Sequence, residues 1–241
     1  SLEIRTKLLG EEHADTAQAM YNLAWLYDET GRDQQAAPLY QQSLEIRERL
    51  LGDEHEDTIH SVIGLGLVFA ELQEYDKAEP LLKRVLEVRK KLHGDEHADT
   101  ADAYANLGWF YDTIHDYETA EELIRQSLEI NRKLFGEDHE NTAQAYTSIA
   151  GLYFRSNDYA KAEPLFQQAL NIREKVYGTQ NSNTADSLND LGRLYQERGD
   201  YTKAETLFKR ALAIRETLKD SDDTIATLDA LGWNYDRMGE Y

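Results

Sequence analysis

Cysteine is absent from the 241-residue chain, which excludes disulfides, iron–sulfur clusters, thiolate zinc sites and cysteine nucleophiles together. Proline occurs only three times, and the polar residues are mostly good helix formers, so little interrupts long helices. No apolar run approaches the ~20 residues that span a bilayer, and the N-terminus lacks the basic-then-apolar order of a signal peptide. Positive charge is scarce: 26 Lys and Arg against 46 Asp and Glu leave −20 at neutral pH. So acidic a surface repels phosphate backbones and anionic head groups, and neither nucleic acid nor membrane is expected as a partner. The expectation is a soluble, cytoplasmic, largely helical protein.

What the chain does contain is a repeat. The segment Ser1–Arg5 (SLEIR) returns at Ser43–Arg47, then as VLEVR at Val85–Arg89, SLEIN at Ser127–Asn131, ALNIR at Ala169–Arg173 and ALAIR at Ala211–Arg215, each step 42 residues. Glycine recurs at Gly10, Gly52, Gly94, Gly136 and Gly178, and His13, His55, His97 and His139 follow three residues after the first four. Asn181 replaces the histidine in the fifth copy, and the sixth is two residues shorter before Thr224.

Each unit carries two helical stripes. Met20, Leu23, Ala24 and Tyr27 stand at i, i+3, i+4 and i+7, as do Tyr104, Leu107, Gly108 and Tyr111 two copies on. Breaks follow at Gly31, Asn157 and Gly199, residues that tolerate the left-handed conformation ending a helix. A second stripe then begins, as in Tyr75, Ala78, Leu81, Leu82, Val85, Leu86 and Leu92. Pro38, Pro80 and Pro164 are expected near its start, where few backbone donors have helical partners. Gly66, Gly108, Gly192 and Gly232 share one first-helix position with Ala24 and Ala150, and Ala36, Ala78, Ala120, Ala162 and Ala204 recur on the second helix. Small against small is expected at each crossing, in an all-α, right-handed superhelical solenoid of helix–turn–helix repeats. The units fall at 11–52, 53–94, 95–136, 137–178 and 179–218, with the end of a preceding unit at 1–10 and a partial one at 219–241. Because neither end reads as a polar capping helix, a single solenoid cut from a longer protein is expected, with Tyr241 falling where another second helix is due.

The order Leu107-Gly108, Tyr111, Tyr117, Ala120, Ile124, Ser127 resembles the tetratricopeptide repeat (TPR). The 42-residue length, the Asn22-Leu-Ala and Asn106-Leu-Gly segments, Ala78-Glu-Pro-Leu and the Gly-x-x-His-x-Asp-Thr junction are similar to the kinesin light chain type. The same subtype is similar to repeat arrays attached to signalling NTPases.

Chemistry-bearing constellations are few. Junction histidines one repeat apart cannot share a zinc, because packed helices lie ~8–10 Å apart and zinc holds each nitrogen at ~2.0–2.1 Å. They read instead as helix caps, each followed by an acid or amide that suits the helix dipole. Carboxylates such as Glu121-Glu122 and Asp220 to Asp223 lie at solvated spacings. No catalytic triad order, Gly-rich phosphate loop or calcium loop is present, so no enzymatic activity, catalytic residue, metal or cofactor is expected.

The resemblance implies that one stripe of the first helices lines a concave groove receiving a protein or peptide. It comprises Gln18, Tyr21, Trp25, Asp28 and Glu29; His60, Ile63, Leu67, Ala70 and Glu71; Asp102, Ala105, Trp109, Asp112 and Thr113. Gln144, Thr147, Gly151, Phe154 and Arg155 follow, then Asp186, Asn189, Arg193, Gln196 and Glu197. Asn22 and Asn106 match an asparagine that bonds peptide backbone in the family; Gly64, Ser148, Asp190 and Ala230 replace it elsewhere. Trp25, Trp109 and Trp233 share one position, suited to a binding surface or to packing against second helices; both readings stand at this level. The binding residues expected are Tyr21, Asn22, Trp25, Asp28, Ile63, Leu67, Asp102, Asn106, Trp109, Asp112, Thr147, Arg155, Asn189 and Arg193. Carboxylates dominate the N-terminal half of the stripe, which points to a basic, aromatic-containing segment as the partner. The alternative from a different class is the sensor or oligomerisation array of a larger signalling NTPase that binds a folded partner. Apolar Leu228, Leu231, Trp233 and Tyr235 in the last helix lead us to expect end-to-end self-association.

Overall fold

Unbroken stretches of good helix formers between left-handed breaks give helices alone. Among the described residues of this computed structural model, 2–219 and 221–239 (221 and 222 by backbone only), there are twelve α-helices and no strand. Ser1, Asp220 and Tyr241, named above, lie outside the described residues. The first, or A, helices of the repeats are α2 (Ala14–Asp28), α4 (Glu56–Glu71), α6 (Ala98–Thr113), α8 (Glu140–Arg155), α10 (Ser182–Glu197) and α12 (Ser221–Met238). The B helices are α3 (Asp33–Leu51), α5 (Tyr75–His93), α7 (Tyr117–Phe135), α9 (Tyr159–Tyr177) and α11 (Tyr201–Leu218), preceded by α1 (Leu2–Leu9). Contacts gather the chain into two compact units, Ser1–Leu123 and Ile124–Tyr241. In the first, each helix from α1 to α5 packs on the next; in the second, each from α8 to α11 does the same. Packing on sequence neighbours makes this an all-α helical-repeat solenoid fold.

The junction residues each have a definable task. Gly10, Gly52, Gly94, Gly136 and Gly178 end the B helices at φ between 81° and 90°, where a side chain would be strained. The histidine Nδ1 atoms of His13, His55, His97 and His139 accept the backbone N–H two residues on, at 3.1–3.2 Å. Asn181 does the same with its carboxamide oxygen at 2.9 Å, so the substituted copy keeps its cap. Thr16, Thr100, Thr142 and Thr184, all fully buried, donate back to the glycine carbonyl at 2.8–2.9 Å and tie helix start to helix end.

Two packing expectations are corrected. The prolines stand at the sixth residue of their helices, past the first turn. They are tolerated there because Pro38, Pro80 and Pro164 are exposed, so water satisfies the carbonyl left unbonded one turn back. The small A-helix residues do not meet the B-helix alanines alone, although Ala36, Ala78, Ala162 and Ala204 are fully buried. They make room for the large residue four positions later: a Cβ on Gly192 would come within 2.5 Å of the Phe208 ring, and one on Gly66 within 3.0 Å of Leu82. Gly232 faces open space, so its lack of a side chain answers no such contact. Leu92, read as part of the buried stripe, is 40% exposed at the end of α5.

The arginine of the SLEIR segment is a buried clamp rather than a solvated charge. Arg47, Arg89, Arg173 and Arg215 are 3–5% exposed. Arg47 donates to the Asp57 carbonyl (2.6 Å), Ser61 Oγ (2.8 Å) and Gln18 Oε1 (2.7 Å), linking its own A helix to the next one. Arg173 repeats the pattern with Glu140, Gln144 Oε1 (2.9 Å) and Ser187 Oγ (2.8 Å). Arg89, which faces Ala103 of the next repeat in place of the serine, turns to Glu56 and Asp99 instead. Of the other two copies, Arg5 is exposed and donates to the Asp15 carbonyl at 2.9 Å, and Asn131 donates to Ser127 Oγ and accepts from Asn141. Such charge-assisted bonds satisfy long polar side chains that burial would otherwise penalise.

Candidate partner-binding site

Along the A helices the predicted stripe mixes exposed residues with half-buried ones that pack on neighbouring helices. In the first unit Tyr21 lies half-buried, edge-on to Tyr40 at 5.4 Å and beneath the Arg47 guanidinium at 4.9 Å. It and Ile63 pack on the same cluster, around Ala24, Tyr40 and Val62. Leu67 and Trp109 share a second cluster with Ala70, Leu107 and Phe110. The structure thus separates the tryptophans: Trp25 is 53% and Trp233 38% exposed, whereas Trp109 is half-buried against this inter-helix core. Asn22 is exposed and accepts from Gln18 Nε2 at 2.8 Å, and Asn106 is half-buried. Ala70, 1% exposed, belongs to the core and leaves the stripe.

Carboxylates crowd this face. Burial, then Asp33, pushes the Asp28 carboxyl above its usual range; the Tyr40 hydroxyl, donating at 3.4 Å, opposes this, and Glu29 and Glu71 add to it. Asp102 is raised by burial and then by Asp99, against the pull of Arg89. Asp112 is half-buried on the same helix as Asp102. No Lys or Arg stands on the stripe between Gln18 and Thr113.

The second unit differs. Thr147 Oγ1 donates to the Ala143 carbonyl at 3.1 Å, so its hydroxyl serves its own helix. Arg155 lies back along α8, close enough that a Cβ on Gly151 would meet its guanidinium at 3.2 Å. Gln196 is 7% exposed and donates to the Ala230 carbonyl at 3.0 Å, so it joins repeats and leaves the stripe. Asn189, with its oxygen turned to satisfy both amide atoms, accepts from Arg215 at 2.7 and 3.2 Å and from Thr227 Oγ1 at 3.0 Å. Arg215 also donates to Asp186 Oδ1 at 2.5 Å. Asp186, Asn189, Asp190 and Arg193 line a cavity of about 370 Å³ with Phe208, Arg215, Ala226 and Ala230. Burial pushes the Asp190 carboxyl up to about 6, with Arg173, Arg193 and Arg215 opposing and Asp186 adding to the rise. The buried arginines escaped the sequence reading although the position recurs every 42 residues, and Asp190 entered it only as a departure from the family's asparagine.

One trio of metal-ligand types, His93, His97 and Asp99, lies together among the described residues. Its histidines belong to a single junction, stacked at 4.4 Å, not to successive repeats. His97 Nδ1 is engaged by the cap, and Arg89 Nη1 sits 3.2 Å from the Asp99 oxygen. A cation there would have to displace a buried guanidinium. Stoichiometric zinc is therefore expected to leave the thermal midpoint unchanged; a saturable rise, lost in His93→Ala, would show that zinc displaces Arg89.

Among curated protein sequences, none matches significantly. BtubC (BKLC) from P. vanneervenii has a solved structure matching at TM-score 0.70 and 24% identity, over 86% of this chain and 82% of that one. A kinesin light chain protein of Podospora anserina, with nearly identical TPR-like repeats, matches at 0.68 and 23% identity over 87% and 99%. The STAND signal-transduction ATPase with a tetratricopeptide repeat sensor from Pyrococcus horikoshii matches at 0.71 and 18% identity, over 92% of this chain and 33% of that one. At these identities the likeness is one of fold. The tetratricopeptide repeat family profile matches residues 1–49, 31–91, 58–133, 114–175, 148–217 and 183–241, together the whole chain. The chain belongs to the tetratricopeptide repeat family.

Proposed function

We propose that this chain, a member of a family of non-catalytic protein-interaction scaffolds, uses the concave groove of its A helices to hold a basic, aromatic-containing segment of a protein partner. The observation that carries the reading is the face of the first unit: crowded carboxylates at Asp28 and Asp102, no Lys or Arg at the stripe positions from Gln18 to Thr113, where the Arg47 guanidinium over Tyr21 comes from α3, and a half-exposed Trp25. A face of one charge sign speeds association of an oppositely charged segment and makes binding salt-dependent. Tyr21, Ile63, Leu67 and Trp109 offer apolar contact beside the acids, and Asn22, Asn106 and Asp112 offer hydrogen bonds. The second unit is read by itself: there Thr147, Arg155, Asn189 and Arg193 are the proposed contacts, with Arg155 and Arg193 suited to an acidic residue of a ligand. The charge of −20 argues against nucleic acid and anionic lipid. No helix among the described residues is long and apolar enough to cross a membrane. The sensor reading gains no support, since its likeness is of fold alone and covers a third of that chain.

A peptide-array screen tests the proposal. Basic-aromatic peptides are expected to bind best, more weakly as salt rises, and Asp28→Asn with Asp102→Asn should flatten that salt dependence. Acidic peptides as the best binders would remove the reading. Self-association rests on exposed Ile225 (58%) and Leu228 (48%) of α12. Sedimentation should show a mass rising with concentration; a constant monomer mass would exclude it.

A further inference from the structure

The cavity between α10, α11 and α12 holds an imbalance of partners. Arg173 is matched by Glu140 at 2.9 Å, and Arg215 by Asp186 at 2.5 Å. Two charges are left over. Asp190 is half-buried and accepts no hydrogen bond among the described residues. Arg193, three residues on, is exposed at the rim and makes neither a hydrogen bond nor an ion pair among the described residues.

We infer that this cavity is an anchor pocket for a lysine or arginine side chain of the partner segment, with the Asp190 carboxylate as its counter-charge. The inference deepens the proposed function and rests on its reading of the partner as basic. A partly desolvated carboxylate without donors is the group in this unit with most to gain from a cationic donor. The arginines around it do not fill that role: Arg173 and Arg215 are already paired with carboxylates of their own, and Arg193 is exposed, where its charge is screened. The walls suit the rest of such a side chain. Ala226 and Ala230 give apolar surface for the methylene stem, and about 370 Å³ accommodates it with room for water. A carboxylate following the cation in the ligand would then meet Arg193, setting ligand direction. Burial has raised the Asp190 carboxyl to about 6, and a bound cation would bring it back down.

The test uses the full chain and two single-residue probes, Nα-acetyl-lysine N-methylamide and Nα-acetyl-arginine N-methylamide, in an NMR titration. Both should give saturable shifts confined to α10 and α12, at least tenfold stronger in affinity than the glutamine and glutamate counterparts. Asp190→Asn should weaken the cationic probes tenfold or more while leaving the thermal midpoint in place. Arg193→Gln should leave them unchanged or tighter. Equal binding of the glutamine probe, preference for glutamate, or dependence on Arg193 in place of Asp190 would overturn the pocket. Because the probes report the second unit alone, a failure here leaves the acidic face around Trp25 to be judged separately by the peptide screen. A failed screen would in turn leave the probe result standing.

Discussion

Replacing Arg173 by alanine is expected to lower stability by about 3 kcal/mol, read as a fall in the urea midpoint. The guanidinium is 5% exposed and serves three partners from two A helices: Glu140 and Gln144 on α8, and Ser187 on α10. Removing it strands a carboxylate and two polar groups together with the space the side chain filled, and breaking a buried ion pair from one side is among the more destabilising changes known. The figure is set at the low end because the Glu140 side chain stays 25% exposed and water recovers part of the loss. Ser187→Ala removes one neutral acceptor and should cost about 1 kcal/mol. An Arg173→Ala chain with an unchanged midpoint would mean that the clamp contributes register alone.

Replacing Trp25 by alanine should weaken binding of the best basic-aromatic peptide by about 2 kcal/mol, roughly thirtyfold, without moving the thermal midpoint. The indole is 53% exposed and lies outside the core clusters, so its loss leaves the interior intact. Trp109→Ala should behave differently, lowering affinity and stability together, because that ring packs beside Leu107 and Phe110. Calorimetry on both variants, with thermal melts alongside, separates the two roles. Equal affinity in Trp25→Ala would remove the anchor assigned to it.

Periodicity made the helix pairs, their junction caps and the left-handed breaks readable, down to Asn181 standing in for a histidine. Those features depend on contacts within a few residues, which spacing alone encodes. What spacing does not encode is which face the next repeat covers. The SLEIR arginine therefore carried no assigned role although it is buried, and Trp109 and Trp25 read alike although only one meets an inter-helix core. Gly192 was legible as a small residue needed at a crossing, but its partner Phe208 lies one turn beyond the alanine that the small-against-small pattern proposed. Of the predicted stripe, Ala70 and Gln196 turned inward because their neighbours along the solenoid reach over them.

The central claim is that the partner lies along the A helices of the first unit. Amide hydrogen exchange of the complex with the best-binding basic-aromatic peptide tests it directly. The account predicts slowed exchange in α2, α4 and α6, centred on the turns carrying Trp25, Leu67 and Trp109, with α3 and α5 unchanged. Protection confined to α3 and α5, with the A helices exchanging as in the free chain, would contradict it.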